Sequence, residues 1–310
     1  METFIRERAY AIRNSLDLST RRTYSSALNS WIAFVNMHNF PIEPTQDSLS
    51  FFIVFMSHHI EPRSVKSYLS GLVQQLEPDF PSIREIRSSS LITKVLKGCM
   101  KLKSKPIRRK EALTIADLRY LNEKYRHRQS HDDLLFVALI FSGFFGLLRL
   151  GDMTFPDDPN IREWRKISRR SSLLVERSQF SFLLPTHKAD KFFEGNKVLI
   201  HAFDSNSIDP MPVFIRYLSS RDLLFPAVSP LWLTSEGTVP TRSFFMTRFH
   251  LFFSKLYGGA SMRAGGATYL ATLGTSSKVI RAIGRWSSEA WELYIRLHPT
   301  LLHALLHHRR

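Results

Sequence analysis

Three segments of the chain set polar groups inside otherwise apolar text, and their residue types suit the holding of a phosphate-like anion. In FSGFFGLLRLGDMT an all-apolar run leads to Arg149, and Asp152 follows three residues later. A guanidinium carried toward a core needs an anion. A carboxylate at that spacing can orient one edge of the fork and leave the other open to a phosphate. A purely structural Arg–Asp pair is the other account of the same residues. In LPTHKADKFFEGNKV, Lys188 and Lys191 stand near a turn. A lysine there can reach into a groove and protonate a leaving oxygen, or be an ordinary surface side chain. The third segment runs from Gly258 to Pro299: Arg263 precedes small residues that let helices approach closely, GRW puts Trp286 after a helix stop, and Tyr294 lies eight residues beyond.

Other chemistries lose support. The chain has no GxxxxGK phosphate loop, HExxH pair, nucleophile elbow or dinucleotide fingerprint, so neither ATP nor zinc chemistry is expected and no cofactor or metal is called for. The 12 histidines are scattered, and the terminal HALLHHRR reads as a basic helix end. Lone Cys99 excludes an intramolecular disulfide and a cysteine-built zinc site, which fits a reducing compartment. The opening METFIRERAY has no apolar signal core. Leu134 to Leu148 is shorter than the ~20 residues of a bilayer span and is expected to be a buried helix, with no membrane partner. What the chain favours is a polyanion: 43 Lys and Arg against 27 Asp and Glu give a formal net charge of +16 and a pI near 10.2. Residues 1–105 carry 14 basic and 9 acidic side chains and residues 106–310 carry 29 and 18, so both parts can meet phosphate.

The elements that must position these residues fall into two domains, the expected arrangement for 310 residues. In the first, Ser19 or Thr20 is expected to cap a helix bearing Tyr24, Leu28, Trp31 and Val35 and ending by Pro41. Thr45 opens a second helix, a third follows Pro62, and a fourth uses Leu91, Val95, Cys99 and Leu102, which together make a small bundle. From Lys94 to Lys110 there are eight basic residues and no acid, namely Lys94, Lys97, Lys101, Lys103, Lys105, Arg108, Arg109 and Lys110. The boundary between residues 1–104 and 105–310 is placed within this run, which either is a solvated helix end and loop or tracks a phosphate backbone. The second domain opens with helices from Thr114 to about Lys124 and from Asp133 to Leu148. Residues 173–185 and 197–201 are rich in β-formers and predict a small antiparallel sheet. Helical text resumes through PVFIRYLSS, RSFFMTRFHLFFSKLY, RAGGATYLATLG, SKVIRAIG and SSEAWELYIRL. The fold class is mainly α with a minor sheet.

The three polar segments together resemble the catalytic domain of tyrosine recombinases and phage-type, Cre-like integrases, most closely the versions encoded by eukaryotic mobile elements of the DIRS and Crypton types. STRRTYSSALNSWIAFVNMHNFPIEPT and SVKSYLSGL resemble that family's core-binding domain, so the resemblance covers nearly the whole chain and is strongest from Gly258 to Pro299. It implies a SAM-like helical core-binding domain over 1–104 and, over 105–310, an α-rich catalytic domain of the DNA breaking-rejoining fold. Its first arginine falls on Arg149 with the accompanying acid on Asp152, its hairpin lysine on Lys188, its second arginine on Arg263, its Trp-or-His position on Trp286 and its nucleophile on Tyr294. Arg21, Arg22 and Lys66 join the eight basic residues above as DNA contacts. One member departs: where the family has His-x-x-Arg, this chain reads Ala260-Ser261-Met262-Arg263. The interval from Trp286 to Tyr294 is also one residue shorter than in the bacterial enzymes, as suits the mobile-element branch.

The implied activity is site-specific recombination or integration of double-stranded DNA through a 3′-phosphotyrosine, without metal or ATP, by a tetramer on paired sites. The implied location is the nucleus of a eukaryote, or the cytoplasm or nucleoid of a bacterium. Ala260 keeps open a recombinase-derived DNA-binding protein that does not cut, and the Arg/Lys/Tyr set also suits a type IB topoisomerase. The tail PTLLHALLHHRR can form a short helix with Leu301, Leu302, Leu305 and Leu306 on one side, packing on its own domain or on a neighbouring protomer.

Overall fold

The computed structural model describes residues 1–14, 16–186, 195–202 and 208–286. Lys188, Lys191, Tyr294, the SSEAWELYIRL segment and the tail lie outside the described residues. The chain forms two compact units, Met1–Arg108 and Arg109–Arg310.

The first unit holds α1 (Glu2–Asn14), α2 (Leu18–His38), α3 (Gln46–His59), α4 (Pro62–Leu76), α5 (Ile83–Ser88) and α6 (Ser90–Lys103). Local chemistry sets several ends. The Thr45 hydroxyl accepts from Ser48 N–H while Ser48 Oγ accepts from Thr45 N–H, a reciprocal cap that starts α3. Pro62 occupies the first turn of α4, where its missing N–H costs nothing. Two ends differ from expectation. α2 begins one residue before Ser19, on Asp17 with no side-chain cap, and stops at Asn39, whose left-handed backbone (φ 54°) turns the chain before Pro41 is reached. The core is aromatic: Trp31 is fully buried, meets Phe52 edge-on at 5.3 Å and donates Nε1–H to Ile42 O at 3.0 Å. On α6 the inward residues are Ile92 and Cys99, whereas Leu102 is 86% exposed. The expected apolar stripe through Leu91 and Leu102 is therefore rotated on the helix.

The second unit is built around α8 (His131–Phe145), which Ser130 caps and whose residues from Leu135 to Phe145 are all buried. α7 (Ile115–Tyr125) starts on a reciprocal cap between Thr114 and Asp117. Strands β1 (Leu174–Val175), β2 (Gln179–Leu184) and β3 (Asn196–His201) form an antiparallel sheet in the order β1-β2-β3. Its register pairs Phe180 with Ile200 and Phe182 with Val198, so one face is apolar and buried. Phe180 stacks at 3.9 Å on Phe214 of α9 (Pro210–Leu224). α10 (Arg242–Phe249), α11 (Ser261–Thr272) and α12 (Ser277–Gly284) complete the described residues. α10 is half the length that RSFFMTRFHLFFSKLY suggests: the chain turns at His250, and Leu256 O accepts from Glu111 N–H at 3.0 Å. The fold is mainly helical with a small antiparallel sheet. No helix among the described residues is long and apolar enough to cross a membrane.

Candidate active site

The end of α8 determines where Arg149 goes. Leu147 N–H bonds to Phe144 O at 3.3 Å and Leu148 N–H to Gly143 O at 2.9 Å, a paired helix-end motif that reverses the chain through a left-handed Leu147 (φ 47°). Arg149 thus leaves the helix as a half-buried residue at the start of a short turn, not as its last rung. Asp152 secures that turn by accepting from the Arg149 backbone N–H at 2.9 Å. The expected carboxylate–guanidinium pairing is absent: among the described residues no ion pair joins the two side chains. Arg149 Nη1 is buried with no hydrogen-bond partner. A buried, unpaired guanidinium N–H costs free energy unless something anionic reaches it.

α11 carries Arg263 to the same place by way of glycines. A Cβ on Gly265 would lie 2.1 Å from Leu113 O, and one on Gly266 2.0 Å from Phe144 O. Only glycine permits this approach of α11 to α8, and the sequence text AGGA anticipates it. Arg263, 3% exposed, then donates Nη1–H to Leu147 O at 2.8 Å and Nη2–H to Gly284 O. Its guanidinium lies over the Trp286 ring at 4.1 Å. That stacking requires Gly284, since any Cβ there would collide with the Trp286 ring. Beneath, Leu147, Ala267 and Ile280 form a small apolar cluster of their own that fixes α11 and α12 to the end of α8. Gly266→Ala is accordingly expected to destabilise the second unit by about 3 kcal/mol, because backbone oxygen cannot yield as a side-chain tip can. Chemical denaturation followed by near-UV circular dichroism measures this, and a loss below about 1 kcal/mol would contradict the close packing.

Sequence reasoning missed one member. Arg285 lies between Gly284 and Trp286, and its Nη2 donates to both Gly146 O and Leu147 O at 3.1 Å. Burial lowers its pKa from the ordinary guanidinium value, Asp152 opposes this, and the Arg149 charge adds to it. Three guanidinium groups therefore surround the turn at 146–149. A contrast within the same unit shows what a structural buried arginine looks like. Arg221 is fully buried, ion-paired to Asp222 at 3.0 Å, and donates to Phe225 O and Pro230 O, both at 2.8 Å. Arg149 and Arg285 have no such carboxylate among the described residues. Ala260, at the position of the departing histidine, is exposed, and of the two candidates that the sequence places near it, both described residues, neither is free: Ser261 Oγ accepts from Gly258 N–H at 2.9 Å, and His250 Nδ1 is bonded to Phe253 O at 3.1 Å.

In the first unit, a groove of about 550 Å³ collects Lys66, Lys97 and Lys101 with Arg63 and Arg87, over an apolar floor that includes Leu69 and Ile92. Arg63 and Arg87 were not singled out by sequence, although the spacings 63–66 and 97–101 place each pair on one helix face. The other basic candidates do not line the groove. Lys94, Lys105, Arg108 and Arg109 are exposed, Lys103 meets His58 at 2.6 Å, Lys110 bonds to Lys255 O in the second unit, and Arg21 and Arg22 lie on α2. The double change Lys97→Gln and Lys101→Gln should lower the slope of log affinity for duplex DNA against log salt by about 2. Fluorescence anisotropy at several salt concentrations reads this directly, and an unaltered slope would remove the groove from the DNA contact.

No family model matches the sequence, and no curated protein matches it. Solved structures do match the fold. A XerH site-specific recombinase bound to its palindromic difH substrate, in a post-cleavage complex, aligns with TM-score 0.62 and 15% identity over 92% of this chain and 78% of that one. A lambda integrase (75–356) dimer bound to a COC′ core site aligns with TM-score 0.57 and 14% identity over 95% and 94%. The Tn1549 transposon integrase in complex with circular intermediate DNA aligns with TM-score 0.51 and 14% identity over 86% of each chain. The structural neighbours of this chain are thus tyrosine recombinases and integrases, and what it has in common with them at these identities is the mainly helical fold with its small antiparallel sheet.

Proposed function

We propose that this chain is a site-specific DNA recombinase or integrase that cuts and rejoins strands through a 3′-phosphotyrosine on Tyr294, encoded by a mobile element of the DIRS or Crypton type. The observation that carries the proposal is the gathering of Arg149, Arg263 and Arg285 at the end of α8, in which Arg149 Nη1 and Arg285 Nε are buried with no hydrogen-bond partner. A scissile phosphate is the anion that such a cluster suits, and the basic groove of the first unit suits the flanking duplex. The neighbours' fold supports the same assignment.

In this chemistry the arginines clamp the two non-bridging oxygens and stabilise the charge that builds in the pentacoordinate transition state. They also favour the phenolate of Tyr294, an unperturbed phenol being a poor nucleophile near neutral pH. The Tyr294 oxygen forms a bond to phosphorus as the bond to the 5′ oxygen breaks, and Lys188 protonates the departing 5′ oxygen. The phosphotyrosine conserves the bond, so a 5′-hydroxyl from a second duplex reverses the reaction on a new strand without metal or nucleotide. Residues 1–104 act as the core-binding domain and 105–310 as the catalytic domain. A tetramer on paired sites performs two such rounds, in the nucleus if the host is a eukaryote and in the cytoplasm or nucleoid if it is a bacterium.

The test is an adduct trap. A nicked duplex taken from the ends of the parent element, incubated with the protein, should yield a species that survives denaturing electrophoresis, with peptide mapping placing the nucleotide on residue 294. Tight DNA binding with no adduct on either strand would sink the cutting activity and leave a DNA-binding protein.

A further inference from the structure

Two helices of the second unit end in the same backbone motif, and the two motifs meet. α12 closes as α8 does: Arg285 N–H bonds to Ala282 O and Trp286 N–H to Arg281 O, both at 3.1 Å, with Arg285 in the left-handed region at φ 54°. Glycine is the usual occupant of that position, because a Cβ there crowds the neighbouring carbonyl at a cost of about 1–2 kcal/mol. At Leu147 the cost is offset by complete burial in the apolar cluster with Ala267 and Ile280. Arg285 has no comparable apolar gain. Its side chain instead crosses to the α8 motif, where Nη2 alone serves both Gly146 O and Leu147 O. Leu147 O is already held by Arg263. Arg285 thus adds a bond to Gly146 O and a second donor on Leu147 O, both from one nitrogen, and a buried positive charge beside Arg149 is an expense that this clamp alone does not explain. Arg285 Nε is buried with no partner, as is Arg149 Nη1.

We propose that Arg285 is a third guanidinium of the phosphate pocket, turned inward by its left-handed backbone to help hold the anion that Arg149 and Arg263 bind. Its catalytic consequence rests on the phosphotyrosine chemistry above; its anion binding does not. With alanine at position 260, Arg285 supplies a donor to a pocket that the family resemblance leaves one short.

Arg285→Gly removes the guanidinium while putting the favoured residue at the left-handed position, so the helix end should persist, and a melting temperature within a few degrees of the parent checks this. Should it not fold, Arg285→Gln takes its place on the same criteria. Orthovanadate is titrated calorimetrically, the relevant site being the one lost in Arg149→Gln. Vanadate affinity should fall at least tenfold in Arg285→Gly and less in Arg285→Lys; unchanged affinity in Arg285→Gly overturns the proposal. Single-turnover cleavage is then compared on a phosphodiester and on an uncharged methylphosphonate at the scissile position. A loss of roughly 100-fold on the phosphodiester should shrink on the neutral linkage, because the charge that Arg285 stabilises is gone. Equal losses on both would assign Arg285 to structure alone. If the parent protein forms no adduct, the phosphotyrosine chemistry fails, and the vanadate titration still decides Arg285.

Discussion

Tyr294→Phe is expected to abolish the covalent DNA adduct outright while leaving duplex affinity within about twofold of the parent protein. Phenylalanine lacks only the phenolic oxygen. In the proposed chemistry Tyr294 alone forms the bond to phosphorus, whereas the contacts that set affinity are assigned to the basic residues of both units. The measurement pairs denaturing electrophoresis of the trapped duplex with anisotropy on the same DNA. An adduct that persists in the variant would move the nucleophile elsewhere. Equal loss of binding and of adduct would mean that Tyr294 serves folding or docking.

Arg263→Lys should lower single-turnover cleavage by about 10³-fold, at the upper end of what one transition-state donor contributes. The geometry explains why a conserved charge is not enough. The planar fork reaches Leu147 O and Gly284 O at once and stacks on Trp286, which fixes the remaining N–H edge. An ammonium on its flexible stem lacks the rigid planar fork that spans these two carbonyls from separate nitrogens while stacking on the Trp286 ring. Stability should fall as well, by about 1–3 kcal/mol, because a buried carbonyl loses its donor. Thermal melts beside the kinetics separate the two effects. Cleavage within tenfold of the parent would take Arg263 out of the pocket.

Much of the fold was legible because its signals are local. Thr45 and Thr114 announce helix starts through reciprocal hydrogen bonds that span three residues. The apolar content of Leu135 to Phe145 needs no partner to declare a buried helix, and the β-formers of 173–185 and 197–201 on either side of a turn-rich stretch declare a small sheet. Errors came where distant groups decide. No proline or glycine lies between Arg242 and Leu256, so nothing in the text stops α10 at Phe249; the stop depends on Leu256 meeting Glu111. The rotation of α6 toward Ile92 likewise depends on which face its neighbours in the bundle leave free.

For the candidate site, the sequence by itself determined the ingredients: Arg149 after an apolar helix, Arg263 ahead of a glycine pair, Trp286 behind a helix stop, and alanine where a histidine is expected. It also carries the net charge of +16 from which a polyanionic partner is expected, since net charge needs no fold to be read. The tertiary structure decided how those parts are used. Asp152 holds Arg149 by its main chain and leaves the guanidinium open, an outcome fixed by the left-handed Leu147. Arg285 joins the cluster because its own left-handed backbone aims it at Gly146, 139 residues away. Neither backbone sign nor such a contact is encoded in residue type or spacing, because a non-glycine residue adopts positive φ only when packing around it compensates the cost.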